Sequence, residues 1–299
     1  MSDPLASPTP TSLRSFLRFS TWLLVVGGSS LVLPSCQDPI ELDLPDGTVR
    51  PIVNARITNE DSVSAEVFWS STYLNQSPNT PVSDAVLVLY ANGLAVDTLD
   101  ALPTKPGSYR GKTVGQMGNS YSLRIWMPGD PKPWITGAET IRRCPSIDSI
   151  YSENRPRAPF VRPGRYSLVH FTEPAGKGDQ YRFRVWRNDT LENLPFDITF
   201  FDDQFNDGRS FNNVDFPAVE FAGPDSVGVR YQVEVSSISP EFFQFLNLLR
   251  QTTLQVGSPF DPAPALVVGN IWREADPREY ALGYFYASGV GRASVVVAP

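Results

Sequence analysis

Asn119-Ser120-Tyr121-Ser122-Leu123-Arg124-Ile125-Trp126 sets the pattern for most of this chain. Tyr121, Leu123 and Ile125 alternate with Ser122 and Arg124, and successive side chains of an extended strand point to opposite faces. A period of two therefore predicts a strand with one face in a core and one in water. Upstream, residues 52–57, 64–69, 85–90 and 95–99 are rich in strand-forming residues, with the tight-turn pair Asn92-Gly93 between the last two. A further strand is expected at 134–141. Six or seven short strands with turns about every 10 residues describe an immunoglobulin-like β-sandwich over residues 48–143.

Downstream, Cys144 to Tyr151 reads as a boundary, followed by a Pro- and Arg-rich loop over 155–163. Strands resume at 166–171, 180–186 and 196–201, where Tyr181, Phe183 and Val185 alternate with Arg182, Arg184 and Trp186. A hairpin over 201–211 is expected to carry Asn206-Asp207-Gly208 at its tip. More strands follow at 228–236, 266–272, 280–288 and 293–297. One helix interrupts them over about 240–252, opened by Ser239 as N-cap, Pro240 at the first helical position and Glu241 at the positive end of the dipole. Phe242, Phe245, Leu246 and Leu249 share one face of it, expected to pack on the second sheet. The fold class is all-β, with residues 144–299 forming a second β-rich domain that holds the single helix.

The composition agrees. Hydrophobic residues make up 41% and charged ones 19%, ordinary globular values that leave room for a sizeable core. There are 28 Pro, 21 Gly, 18 Phe and 11 Tyr, a mixture suited to turns and strands. The formal charge is −7. An acidic body repels phosphate backbones, so no nucleic-acid partner is expected.

Residues 1–35 have the three parts of a secretory signal: Arg14 and Arg18, an apolar run from Trp22 to Leu33, and small Ser35 before Cys36. The run is shorter than the roughly 20 residues a spanning helix needs. Cys36 follows a small residue and closes Leu31-Val32-Leu33-Pro34-Ser35, the setting in which a cysteine takes a diacylglycerol thioether and becomes a membrane anchor. Residues 36–47 are then an acidic, Pro-broken tether. Cys144 is the only other cysteine, and with Cys36 lipidated it is a lone thiol filling a strand end.

Catalytic and metal motifs are sparse. His170, the single histidine, sits between Val169 and Phe171 in a strand, and no Gly-x-Ser-x-Gly elbow is present. His/Cys zinc sites are excluded by arithmetic. The densest set of oxygen ligands is Asp202, Asp203, Asn206 and Asp207 beside Gly208, the hard donors that calcium takes, although the spacing is not that of a helix–loop–helix site. Phe68, Trp69, Tyr73, Trp126 and Trp134 would line a binding groove if exposed, and core burial is the default for them.

Blocks of sequence carry a likeness beyond periodicity: Ser237-Ile238-Ser239-Pro240-Glu241-Phe242-Phe243, Pro259-Phe260-Asp261-Pro262, Gly269-Asn270-Ile271 and Ala281-Leu282-Gly283-Tyr284-Phe285-Tyr286-Ala287-Ser288. With Val53-Asn54-Ala55, Pro81 to Ala85 and Ile147 to Ile150 upstream, the chain after Cys36 resembles the Bacteroidota lipoprotein family labelled domain of unknown function 4249. The resemblance implies a lipoprotein of the outer membrane that accompanies a TonB-dependent receptor. Asp38, Glu41 and Asp43 behind Cys36, similar to the surface-export signal of Bacteroidota lipoproteins, lead to an expectation of surface exposure. It implies no catalytic residues, so a non-enzymatic ligand-binding or accessory role is expected. The competing expectations are an exported hydrolase that works with carboxylates and a purely structural envelope protein.

Overall fold

The computed structural model describes residues 48–72, 78–156, 158–159, 164–215, 228–255 and 266–296. Its first strands are β1 (Pro51–Thr58), β2 (Ser62–Trp69), β3 (Thr80–Pro81), β4 (Val86–Ala91), β5 (Leu94–Ala101), β6 (Ser108–Val114), β7 (Ser120–Trp126), β8 (Trp134–Thr136) and β9 (Glu139–Thr140). There follow β10 (Ile147–Arg155), β11 (Gly164–Thr172), β12 (Gln180–Arg187), β13 (Thr190–Leu191), β14 (Thr199–Asp202), β15 (Ser210–Asp215) and β16 (Arg230–Ser237). After helix α1 (Pro240–Thr253) come β17 (Ile271–Arg273), β18 (Asp276–Tyr280), β19 (Leu282–Ser288) and β20 (Val290–Val296). The protein is all-β, with α1 the one α-helix among the described residues. No described helix is long and apolar enough to cross a membrane.

The alternation in β7 does what its sequence requires. Tyr121, Leu123 and Ile125 are buried, and they join Val53, Ala55, Ile57, Leu87 and Leu89 in one core. Around that core runs a nearly closed twelve-stranded sheet, ten strands in the order β18-β17-β8-β7-β4-β5-β6-β2-β1-β19, with β3 paired to β2 and β9 to β7. Asn92 (φ 49°) and Gly93 (φ 82°) make the tight β4–β5 turn, as the pair predicts. Tyr109, 1% exposed, donates its hydroxyl proton to Val82 O (2.7 Å) and accepts from Ala85 N (3.0 Å), which fixes the entry to β4.

The division placed at 143/144 is crossed by the chain. β17 pairs with β8, and β19 pairs in parallel with β1, so strands from beyond residue 270 complete the first sheet. Asn270 splices this return. Its Nδ2 donates to Phe285 O (2.8 Å) and its Oδ1 accepts from Phe285 N (3.0 Å), so one side chain stands in for a neighbouring strand. Gly283 (φ +89°) lies so close to β1 that a Cβ there would be 2.2 Å from Val53 O. Only glycine fits such a position.

Two smaller sheets complete the molecule: β10-β11-β15, and β13-β12-β16-β20 with β14 on β12. Residues 147–151, expected as part of the boundary, and Arg155, expected to open the loop, lie in strand β10 instead. The expected hairpin over 201–211 is also corrected. β14 pairs with β12 and β15 with β11, so the turn before Gly208 carries the chain from one sheet to another. Gly289 marks a second crossing, from β19 in the first sheet to β20 in the other, and Ser237 pins it by accepting from Gly289 N at its Oγ (3.0 Å).

Candidate ligand-binding cavity

A strand that buries every second residue presents the others outward, and here two such outward rows meet. Val53, Ala55 and Ile57 enter the first core, leaving Ile52, Asn54 and Arg56 on the other face of β1. Tyr181, Phe183 and Val185 enter the core of the second region, leaving Arg182 and Arg184 on the other face of β12. Both rows line one cavity of about 820 Å³. Helix α1 supplies Phe242, Phe245, Leu246 and Leu249 to its wall, and β19 supplies Tyr284 and Tyr286.

The helix is held at that wall by its cap. Ser239 Oγ accepts from Phe242 N (3.1 Å) and donates to Glu139 Oε1 (3.2 Å). Tyr284 donates its hydroxyl proton to the same Glu139 oxygen (3.0 Å). Glu139 is 5% exposed, and burial pushes its carboxyl up to about 7 against the Ser239 and Tyr284 hydrogen bonds. The apolar face of α1 packs differently from expectation. Phe242 stacks on Tyr286 (4.5 Å between ring centres) and lies 4.6 Å from Tyr284, both on β19 of the first sheet. Phe243 meets Phe200 of β14 edge-on at 5.0 Å. The helix thus bridges two sheets, and each such ring pair contributes about 0.5–1.5 kcal/mol beyond area burial.

Behind the cavity a charged network ties the sheets together. Glu234, fully buried on β16, accepts from Arg184 Nε (3.1 Å) and from Arg292 Nε (2.8 Å) and Nη2 (2.7 Å). Arg56 reaches it from β1 (3.4 Å) and also donates to Asp61 (2.8 Å). Burial alone would raise the Glu234 carboxyl, but Arg184 and Arg292 outweigh it and hold the group below its ordinary value.

The four residues expected to hold calcium do not converge as a set. Asp202 Oδ1 accepts from Gln204 N (3.3 Å) and Asp207 Oδ1 from Gly176 N (2.6 Å), while Asn206 N donates to Asp203 O (2.9 Å) within the turn. Asp203 alone meets other acids: its carboxylate gathers with those of Glu173 and Asp179 within 4.8 Å. Those two gave no signal in sequence, because strands β12, β13 and β14 separate them from Asp203. Arg143 pairs with Asp179 at 2.6 Å, Tyr181 donates to Glu173 (3.0 Å) and Gly178 N donates to Asp203 Oδ1 (3.0 Å), so Asp179 is ion-paired and the other two acids hold their loops through hydrogen bonds.

His170 is half-buried, its Nδ1 3.1 Å from Asn212 Oδ1 and its ring 5.2 Å from that of Tyr151. Cys144 donates to Val235 O (3.4 Å), and burial pushes its thiol up to about 12. Trp134 is buried under the Arg273 guanidinium (4.4 Å) and Trp69 packs on the first core. Phe68 and Trp126 are half-buried. Cys36 and Tyr73 lie outside the described residues.

With the geometry in place, comparison decides the kinship. Residues 37–294 match the model of the family described as domain of unknown function (DUF4249). The chain belongs to that family. No curated protein matches it, and no solved structure does. Within the DUF4249 region, the Gly269-Asn270-Ile271 block is the splice onto Phe285, and the block from Ala281 to Ser288 is β19 with two rings of the cavity wall. Sequence reasoning missed Arg182 and Glu139. Arg182 was legible only as one outward position of an alternating strand, and Glu139 as one acid among many.

Proposed function

We propose that this protein is a non-enzymatic, ligand-binding lipoprotein of the outer membrane, anchored by lipid on Cys36 and serving a TonB-dependent transporter. The observation that carries the ligand-binding part is the cavity of about 820 Å³. It has the size of small-molecule sites, an aromatic and aliphatic wall, and a few converging polar groups. The signal-like segment before Cys36 supports the anchor, and the family resemblance supports the transporter partner. A carboxylate-dependent hydrolase is the competing reading. Its natural acid, Glu139, is 5% exposed and sits behind Tyr284, outside the cavity wall.

The test is affinity capture of the tagged protein from detergent-solubilised outer membrane. Co-purification of a large β-barrel receptor is expected. A lone monomer with glycan- or peptide-cleaving activity would sink the proposal. Cys36→Ser is expected to move the protein to the soluble fraction, and continued membrane binding would overturn the anchor.

A further inference from the structure

The cavity is basic in an acidic protein. Among the described residues its wall holds Arg56, Lys105, Arg110, Arg182 and Arg184 against the single acid Glu66. Most of this charge is already answered. Arg184 is paired with Glu234, Arg56 with Asp61 and Glu234, and Lys105 with Glu66. Arg110 is exposed, so water serves its donors. Arg182 differs: among the described residues no acid faces it, and its Nε is buried without any hydrogen-bond partner. Its guanidinium lies 5.8 Å over the Phe242 ring, a contact that favours the cation but satisfies none of its N–H groups.

A buried guanidinium donor without an acceptor is costly, and the guanidinium fork matches a carboxylate in shape. Beside it the half-buried Phe245 and Leu249 present apolar surface to the cavity, backed by the buried Phe242 and Leu246. Resting on the ligand-binding reading above, we propose that the cavity takes an apolar molecule ending in a carboxylate. The carboxylate pairs with Arg182, and the apolar body lies along helix α1. A fatty acid and the free C-terminus of an apolar peptide both present this chemistry.

Binding is measured by calorimetry on the purified full-length protein with four probes: dodecanoate, dodecanol, and the peptide Leu-Leu-Phe with a free or an amidated C-terminus. At least one acid is expected to bind tenfold or more tighter than its uncharged counterpart. Which acid does so names the source, lipid or peptide. Arg182→Met, which keeps the apolar stem, is expected to weaken that acid tenfold or more with the uncharged probe unchanged. Asn54→Asp, a near-isosteric change that adds an anion to the wall on β1 and leaves the apolar face of α1 intact, is expected to weaken the acid selectively should Arg182→Met fail to fold. Equal binding of acid and neutral probes, no binding by any, or full binding in either folded variant overturns the proposal. Receptor co-purification reads the accessory role separately, so its persistence beside a failed carboxylate test rejects the ligand class alone.

Discussion

The Arg56 guanidinium lies 3.4 Å from the carboxylate of Glu234, 178 residues further along the chain. Arg184 and Arg292 hold the same carboxylate, so one fully buried acid joins β1, β12 and β20. Removing one partner of a buried ionic network leaves uncompensated charge, at about 3–5 kcal/mol. Glu234→Ala is therefore expected to lower unfolding stability by that order in urea titration, and an unchanged midpoint would refute the latch. Because the folded-state value of Glu234 is depressed, its contribution is complete above its unfolded value. It is lost as pH falls through the folded one, so acid unfolding should set in below about pH 4.

Glu139 has the opposite sign. Its folded-state value of about 7 lies above the ordinary 4.5, so the folded protein binds the proton more tightly than the unfolded chain does. Stability from this group is present below pH 4.5 and declines as pH rises to 7. Denaturant titrations of the wild type and Glu139→Gln across that range should diverge by on the order of 2 kcal/mol, with the variant gaining at high pH. Parallel pH profiles would contradict the assignment.

Gly283→Ala places a Cβ 2.2 Å from Val53 O at a residue with φ +89°. Both the clash and the backbone conformation oppose the substitution, and a loss of about 3 kcal/mol or more is expected. Thermal unfolding checks it. A normal melting temperature would mean that β1 and β19 are not in the register described.

Cys144 should be an inert thiol. With its titration pushed up to about 12 by burial, almost no thiolate exists at pH 8, and the thiolate is the reactive form. Labelling by a disulfide reagent is expected to be slow in the folded protein and fast in urea. Equal rates in both would show the site to be open.

The strands themselves were legible. Alternation in β7 and β12 named the residues that enter each core, and Asn92-Gly93 named its turn. Partners were not, because a period of two says which residues leave the core and nothing about what they then meet. Arg182 and Arg184 read as water-facing and instead line a cavity with the outward row of β1. Asn206-Asp207-Gly208 does hold a turn, but turn chemistry is silent on whether the flanking strands pair. β10 was hidden by a register shift between Ile147 and Ser149, which breaks the two-residue period. Asp203 was read as one of four neighbours in sequence, whereas its acidic companions Glu173 and Asp179 come from elsewhere.

The parallel pairing of β1 with β19 also sets the order of events as the chain is made. Ile52 takes its place beside Leu282 only after some 230 intervening residues have emerged, and until then one edge of β1 offers unpaired N–H and C=O groups to any passing strand. Closing so long a loop is slow. A nascent chain is thus committed to a long open interval in which a protecting factor has something definite to cover, and any truncation before residue 282 makes that interval permanent.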